Sequence, residues 1–354
     1  MSPEPLVSVC MPLYNTERYL AEAIDGVLRQ THRNLELIIC DNRSTDKSID
    51  IAEKYAQADR RIRLVRNRRN LGYAGNLHKV LGLARGYYMI VHCADDFIAP
   101  DAIAKLVAVA EAAPDPARVL VISDYRVVDE HSRPLYVNAK TRVGIDYVRT
   151  PPDSYAATGA VTRHEGAEML GEALRCLQIV GFQGASLYSR ALFEEIEGLY
   201  SGLLYSPDAH LNYLLLDRNP SVFWLEEAPV SWRWTPGNQA SLSARQAIPK
   251  QALDVYLITH LFSASRLTEL GVEKKAMAAR FVDLYCARRA FSEIKGGSSV
   301  FALRHCLLAV ALYPAEAVRN WRIYVGLIGA LLGPVGRAGA RWAARGRESN
   351  VGQG

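Results

Sequence analysis

Residues 7–46 read VSVCMPLYNTERYLAEAIDGVLRQTHRNLELIICDNRSTD, and they carry the pattern on which the fold rests. Two apolar runs, Val7–Leu13 and Leu35–Cys40, flank the segment Arg18–Gln30, in which apolar residues recur at helical spacing. A strand, a helix and a second strand in this order form a βαβ unit, in which the two strands run parallel. We therefore predict an α/β fold that begins with this unit.

The alternation continues outward from this unit. A mostly parallel, Rossmann-like sheet covered on both faces is expected from such strand–helix repeats. Residues 118–234 are less regular, and residues 247–347 have helical spacing throughout. Further strands are predicted at Arg61–Val65, Tyr87–Val91, Val119–Ser123, Gly184–Tyr188 and Val222–Leu225, and further helices at Asp46–Ala58 (capped by Ser44 and Thr45), Asn76–Ala84, Pro100–Ala113 and Pro207–Leu216.

The composition excludes several classes of protein. The chain has 354 residues, a net charge of +5 and six cysteines without a C-x-x-C pair, which indicates a reducing compartment and no disulfide framework. No signal peptide and no spanning helix are expected, because no run approaches the ~20 apolar residues that such a helix needs. A Rossmann dehydrogenase is excluded because Val7–Asn15 contains no glycine.

Polar residues follow four predicted strands, at the edge of the sheet where such folds bind ligands. Adjacent carboxylates such as Asp95 and Asp96 are tolerated where Mg²⁺ or Mn²⁺ lies between them and a diphosphate. The alternative for this pair is a solvated turn. The other residues at these strand ends are Pro12, Tyr14 and Asn15 after the first strand, Asp41 and Asn42 after the second, and Arg69, Asn70 and Gly72 after the third.

Each of these groups has a binding interpretation and a structural alternative. The Tyr14 ring suits stacking on a nucleotide base, or it is a buried turn residue. Asp41 and Asn42 suit hydrogen bonds to a base or ribose, although Asn42 is also a good turn residue. Arg69 and Asn70, before Gly72, suit contacts with phosphates, and a solvated basic loop is the alternative.

In order and spacing, these residues resemble the inverting family 2 glycosyltransferases of bacterial polysaccharide assembly. The shared motifs are P-x-Y-N, D-[DN]-x-S-T-D, R-N-x-G and an acidic A-D-D cluster. The resemblance implies the GT-A type of nucleotide-diphospho-sugar transferase fold and a metal-dependent hexosyltransferase using Mn²⁺ or Mg²⁺. It also implies a UDP-, dTDP- or GDP-sugar donor and a glycan or lipid-linked acceptor, without nucleic acid. Asp95 and Asp96 would be the metal ligands, and Pro12, Tyr14, Asn15, Asp41, Asn42, Arg69, Asn70, Gly72 and Asp95 would bind the donor.

The resemblance also implies a general base, at Asp208 in the segment Tyr205–Leu211. Its structural alternative is a charge at a helix N-terminus. Three departures from the family pattern stand out: Cys93 replaces the first acid of a D-x-D motif, Asn42 replaces a second aspartate, and Thr235 stands where a histidine is common. His210 is interpreted as a packing or surface residue.

These expectations define the domain organisation. Residues 1–245 are predicted to be the catalytic domain, with donor binding in 1–117 and the acceptor part in 118–245. Residues 246–347 are predicted to be a helical extension that either contacts the membrane or packs on the domain, and 348–354 a flexible tail. The expected location is cytoplasmic, with peripheral contact at the inner face of the membrane. The alternative function is a catalytically inactive nucleotide-sugar-binding protein of the same fold.

Overall fold

The computed structural model describes residues 4–140, 147–177, 183–196, 207–235, 250–296 and 298–331. The chain divides into two compact units, one formed by residues 1–173 with 178–238 and the other by 174–177 with 239–354. The predicted domain boundary after residue 245 and the predicted tail 348–354 lie outside the described residues.

The first unit is built on one mixed sheet. The strands are numbered in chain order, with their residue ranges at the end of this paragraph. Strands β3, β2, β1 and β4 lie side by side in this order, and every neighbouring pair is parallel. β10 inserts antiparallel between β4 and β6, and β11 then pairs parallel with β6. The strands are β1 (Val7–Leu13), β2 (Leu35–Asp41), β3 (Ile62–Arg66), β4 (Tyr88–Val91), β5 (Phe97–Ile98), β6 (Val119–Val128), β7 (Pro134–Lys140), β8 (Tyr147–Thr150), β9 (Val161–Glu165), β10 (Ser186–Ser189) and β11 (Ser221–Arg233).

Helices connect the parallel strands and cover the sheet. Every residue of β1 and of β4 is buried, as expected for central strands covered on both faces. Helix α1 packs through Leu20, Ala23, Ile24 and Val27, which recur at helical spacing. These features confirm the predicted α/β fold with a mostly parallel sheet. The helices before residue 236 are α1 (Leu20–Leu28), α2 (Ser48–Ala58), α3 (Gly72–Leu81), α4 (Ala102–Glu111), α5 (Gly166–Cys176), α6 (Arg190–Glu194) and α7 (Pro207–Asp217).

The predicted ends of several elements were wrong. Strand β11 was expected to stop at Leu225, but it continues to Arg233 because a register shift between Leu225 and Val230 absorbs the two intervening glutamates. Helix α2 is not capped by Ser44 or Thr45. The Asp46 Oδ1 atom accepts the Ser48 N–H at 3.0 Å instead, and the Ser44 hydroxyl accepts the Asn15 N–H at 3.1 Å.

The described part of the second unit is helical. Small residues bring its last helices together: a Cβ atom on Gly326 would lie 2.7 Å from the Cys306 sulfur, and one on Gly329 would lie 3.2 Å from Ile294. Among the described helices, none combines the length and the apolar composition that crossing a bilayer requires. These helices are α8 (Lys250–Thr259), α9 (Ala264–Glu269), α10 (Lys274–Phe281), a π-helical segment (Val282–Ala287), α11 (Arg288–Gly296), α12 (Ser299–Leu312), α13 (Pro314–Arg319) and α14 (Trp321–Leu331).

Gly86 allows the chain to enter β4 in close contact with β1. A Cβ atom there would lie 2.6 Å from the Ser8 nitrogen, 2.7 Å from the Leu6 oxygen and 2.8 Å from the Tyr88 oxygen. All three are backbone atoms of the sheet or of its edge, so they cannot move aside as a flexible side chain would. The pairing of β1 with β4 therefore depends on a residue without a side chain.

We predict that Gly86→Ala lowers the free energy of unfolding by about 1–3 kcal/mol, the usual cost of overpacking. Urea denaturation measures this change. Gly82→Ala is the matched control, because its Cβ would lie 3.6 Å from the His78 oxygen, an ordinary contact. Equal stabilities of the two variants would show that close backbone approach at Gly86 is not limiting.

Candidate active site

The ends of the parallel strands meet at one edge of the sheet. The Asn42 N–H donates to the Leu13 oxygen at 2.8 Å, the Asn67 N–H to the Asp41 oxygen at 2.8 Å, and the His92 N–H to the Cys10 oxygen at 2.9 Å. Each loop is thereby hydrogen-bonded to the adjacent strand at the point where it leaves the sheet. The structure thus places the predicted residues of the four loops along one edge.

The first loop is tied to the second by Asn15. Its backbone has a φ of 51°, in the left-handed region that asparagine tolerates. Its Oδ1 atom accepts the Thr45 N–H at 2.8 Å, and its N–H donates to the Ser44 hydroxyl at 3.1 Å. Pro12 is buried in β1, whereas the ring of Tyr14 is 46% exposed. Tyr14 and the exposed Asn15 are therefore the residues of this motif that a ligand can reach.

The second loop carries a buried carboxylate. Asp41 accepts the Ser44 N–H through Oδ1 at 3.0 Å, and its Oδ2 atom lies 3.5 Å from Nε of Arg66. Asp41 is fully buried, whereas Arg66 is exposed. This carboxylate holds the turn in shape and pairs with the basic loop of the third strand.

Asn42 joins the second loop to the third through a network of asparagines. Its Oδ1 atom accepts the Leu71 N–H at 2.8 Å, and its Nδ2 group donates to Oδ1 of Asn70 at 2.9 Å and to the Gly72 oxygen at 3.1 Å. Gly72 itself has a φ of 72°, which favours glycine. Asn42, Asn70 and Gly72 are thus brought together, with Asn42 acting on the shape of the loop.

Two further asparagines of this network were missed by sequence reasoning. Asn67 donates to Oδ1 of Asn42 at 3.0 Å and to Oδ1 of Asn76 at 2.9 Å, and Lys79 donates to Asn67 at 2.6 Å. Asn67 and Asn76 are both buried, whereas Arg69 is exposed beside them. The signal in the sequence was that Asn76 is a polar residue on the face of α3 that is otherwise apolar and buried.

The fourth loop forms an acidic turn at residues 93–96, just beyond the end of β4. Ligand atoms of Cys93, Asp95 and Asp96 all lie within 4.8 Å of one another. Asp96 is 1% exposed, and its Oδ2 atom has no nitrogen or oxygen partner among the described residues. Burial raises the pKa of both carboxyl groups, and the neighbouring Asp95 raises that of Asp96 further. A bound cation would remove this electrostatic cost, so the turn fits a divalent metal.

Arg233, at the end of β11, is hydrogen-bonded to this turn. Its main-chain N–H donates to Oδ1 of Asp96 at 2.9 Å, and its side-chain Nε group donates to the main-chain oxygen of Asp95 at 2.8 Å. The two remaining nitrogens donate to the Ser132 hydroxyl at 2.7 Å and to Glu22 at 2.6 Å. Arg233 is 1% exposed, and its guanidinium lies 4.4 Å from the centre of the Tyr19 ring.

Sequence reasoning gave no role or contact to Arg233. The signal available was an arginine flanked by two tryptophans, Trp232 and Trp234, at the end of a predominantly apolar segment. Such a charge is retained in a core only where partners satisfy it.

The candidate base lies on a different element. Asp208 falls in the first turn of α7, and its side chain is outside the described residues. His210 is buried, and burial lowers its pKa to about 4, so this ring is neutral at physiological pH. Neutral burial supports the interpretation of His210 as a packing residue.

A second polar cluster, centred on Asp124 in β6, was also missed. Asp124 accepts hydrogen bonds from the Trp224 indole at 3.0 Å, the Lys140 N–H at 2.9 Å and the Tyr155 hydroxyl at 3.0 Å. Burial raises the pKa of this carboxyl group. The partners come from β7, β11 and the segment after β8, so only the folded chain brings them together.

Comparison with known proteins gives a family for the N-terminal part of the chain. Residues 8–167 match the family described as Glycosyl transferase family 2. The putative glycosyltransferase EpsE of Bacillus subtilis is 42% identical over 112 residues, which are 31% of this chain and 40% of EpsE. An uncharacterized glycosyltransferase of Haemophilus influenzae is 39% identical over 103 residues, 29% of this chain and 32% of that protein. The chain thus spans well under half the length of these curated relatives.

Longer matches are more distant. The uncharacterized glycosyltransferase EpsJ of Bacillus subtilis is 26% identical over 253 residues, 71% of this chain and 68% of EpsJ. Among solved structures, TarS 1–349 of S. aureus in complex with UDP has a TM-score of 0.56 at 15% identity, over 91% of this chain and 90% of TarS 1–349. This likeness shows the fold, and it confirms the predicted GT-A type.

We predict that Arg233→Lys lowers the free energy of unfolding by about 3 kcal/mol, because a lysine cannot satisfy the same partners and leaves buried polar groups unpaired. Urea denaturation measures the loss. Arg18→Lys is the control, since Arg18 is 55% exposed and lies 3.4 Å from Glu130. An exposed pair of this kind contributes under about 1 kcal/mol. Similar stabilities of both variants would contradict the anchoring role of Arg233.

Proposed function

We propose that this chain, whose residues 8–167 match glycosyl transferase family 2, is an inverting hexosyltransferase with a nucleotide-diphospho-sugar donor. The observation that carries the proposal is the acidic turn at the end of β4, where three ligand atoms converge around a buried carboxylate oxygen. A UDP-, dTDP- or GDP-sugar is the proposed donor. UDP in complex with TarS, which shares the fold, supports this class of ligand.

In this proposal Asp95 and Asp96 hold Mn²⁺ or Mg²⁺, as oxygen ligands do. Such a metal neutralises the charge on a departing nucleoside diphosphate. Arg233 holds the turn through the main-chain oxygen of Asp95 and through Oδ1 of Asp96, and Oδ2 of Asp96 has no nitrogen or oxygen partner among the described residues. The protein therefore has one carboxylate oxygen oriented by Arg233 and a second that is available to a cation.

The remaining loops bind the nucleotide in this proposal. The exposed Tyr14 ring stacks on the base, with Pro12 and Asn15 setting its position. Asp41 and Asn42 form the wall beside the ribose, and the exposed Arg69 with Asn70 and Gly72 faces the phosphates.

The proposed base is Asp208, which removes the proton from the acceptor hydroxyl. The freed oxygen attacks the anomeric carbon opposite the diphosphate, the bond to the diphosphate oxygen breaks, and its electron pair leaves with that oxygen. The N-terminus of α7 favours the ionised carboxylate that this step requires. Glu227 is less suited to the role, because it forms an ion pair with Lys105 at 2.5 Å.

A glycan or lipid-linked glycan is the proposed acceptor. Support comes from a relative named chondroitin synthase, from Escherichia coli, which is 34% identical over 99 residues. The six cysteines are all free, which supports a cytoplasmic location. The second candidate function is a nucleotide-sugar-binding protein without catalysis. Cys93, in place of an acid in the acidic turn, favours this alternative, and turnover of a donor would exclude it.

We predict that Asp95→Asn and Asp96→Asn each weaken Mn²⁺-dependent binding of the nucleoside diphosphate by at least about 10-fold, as losing a metal contact does. Calorimetry with UDP, dTDP and GDP measures this change. Asparagine keeps the shape and one acceptor oxygen, so Asp96→Asn retains the contact with the Arg233 N–H. Asp101→Asn is the control, because Asp101 is half-exposed and pairs with Lys105. Undiminished Mn²⁺-dependent binding in both site variants would refute the metal assignment.

We predict that Asp208→Asn leaves donor binding intact but lowers turnover by about 10²–10⁴-fold, the usual contribution of a general base. Release of the nucleoside diphosphate from a panel of sugar donors, with Mn²⁺ and candidate acceptors, measures turnover. Asp217→Asn, at the other end of α7, is the matched control and should retain activity. Near-normal turnover of the Asp208 variant would move the base to another residue.

A further inference from the structure

Five of the six buried residues of helices α12 and α14 are small, whereas several large apolar residues of these helices are exposed. The buried positions of α12 are Ala302, Cys306 and Ala309, and those of α14 are Ile323, Gly326 and Gly329. The opposite faces expose large apolar side chains: Val300, Leu307 and Val310 on α12, and Trp321, Tyr324, Ile328 and Leu331 on α14. Water-soluble helices normally bury such residues, whereas helices next to lipid pack through small residues and direct large ones outward.

The exposed face of α14 is continuous. Trp321, Tyr324, Ile328 and Leu331 follow one another at intervals of three and four residues, and Ile328 and Leu331 are 55% and 75% exposed. Tryptophan and tyrosine are the residues that prefer the membrane–water interface. The helix is 11 residues long, which suits a position within the interface rather than across a bilayer.

A basic cleft opens beside the start of this face. It has a volume of about 230 Å³, and its lining includes Lys275, Arg319 and Arg322 together with Trp321 and one acid, Glu316. Lys275 and Arg319 are exposed, whereas Arg322 also pairs with Asp283 at 2.9 Å. An anionic phosphate group fits this surplus of positive charge.

The sequence around these helices has the same bias. Residues 298–347 contain seven arginines and a single acid, Glu316. Four of these arginines, Arg337, Arg341, Arg345 and Arg347, lie outside the described residues. An apolar face combined with this charge matches the surface of an anionic bilayer, where hydrophobic burial and electrostatic attraction add.

We propose that the α12–α14 segment docks the protein on an anionic lipid bilayer, with the exposed faces of α12 and α14 in the interfacial layer and the basic cleft on lipid phosphates. This proposal does not rest on the donor site, because docking requires neither the metal nor a sugar. For a transferase with a lipid-linked acceptor, docking would bring both substrates to the same surface.

Co-sedimentation of the full chain with vesicles tests the proposal. Vesicles of phosphatidylglycerol and phosphatidylcholine are expected to pellet the protein at low salt, and binding should fall as salt rises. Pure phosphatidylcholine vesicles should bind it at least about 10-fold more weakly. Retention of the protein in the supernatant with phosphatidylglycerol vesicles at low salt would overturn the proposal.

Substitutions separate the apolar contribution from the charged one. Ile328→Asp should weaken binding to the anionic vesicles by at least about 10-fold, since a buried isoleucine contributes about 1.5–3 kcal/mol. Arg319→Gln should weaken it about fivefold, as expected for one basic residue near the surface. Leu261→Asp is the matched control, because Leu261 is 44% exposed in the same unit but outside α12–α14.

Two other results would also overturn the proposal. The first is equal binding by the wild-type chain and the Ile328 variant, with matching thermal unfolding of both. The second is lipid-free self-association of the wild type that Ile328→Asp abolishes, which would make this face an interface between two copies of the chain. Donor binding measured on the same variants is expected to be unchanged, so failure of docking is distinguishable from failure of the proposed activity.

Discussion

The contact of Arg233 with the acidic turn is the constraint on which the candidate site depends. A guanidinium that is 1% exposed needs every donor satisfied, and its partners lie on α1, on the loop after β6 and on the loop after β4. Because these elements share one buried cation, none can shift without leaving a donor unpaired. The same cation also lowers the cost of keeping Asp95 and Asp96 side by side.

The loops after β1, β2 and β3 are held together largely by neutral groups. Asn15, Asn42, Asn67 and Asn70 connect the first three loops through amide hydrogen bonds, which do not depend on a titrating group. The charged residues of the same loops, such as Arg69, remain exposed. A hydrogen-bonded neutral frame with exposed cations at its rim suits a ligand whose phosphates carry several negative charges.

Local pattern was sufficient to predict the first half of the fold and most of the strand-end residues. Strands β1, β2 and β4 are predominantly apolar, and the residues at or beyond their ends, such as Asp41 and Asp96, lie at the sheet edge by topology alone. The contacts of Arg233 and Asp124 could not be predicted, because each partner is remote in sequence. The course of β11 was missed for a related reason: the bulge at Glu226 and Glu227 breaks the period of two, and only pairing with β6 reveals it.

The separation of Arg233 from the acidic turn has a consequence for the order of folding. Strands β1 to β4 are joined by short local connections, whereas the hydrogen bond from Arg233 to Asp96 spans 137 positions in the chain. Contacts of such separation form late, because their loops are entropically costly to close. On the ribosome, strands β1 to β4 would emerge and collapse with the carboxylates of the acidic turn still unanchored. The turn would gain its contacts with Arg233 only when this thirteenth residue of β11 leaves the exit tunnel, well beyond the last residue of the family match.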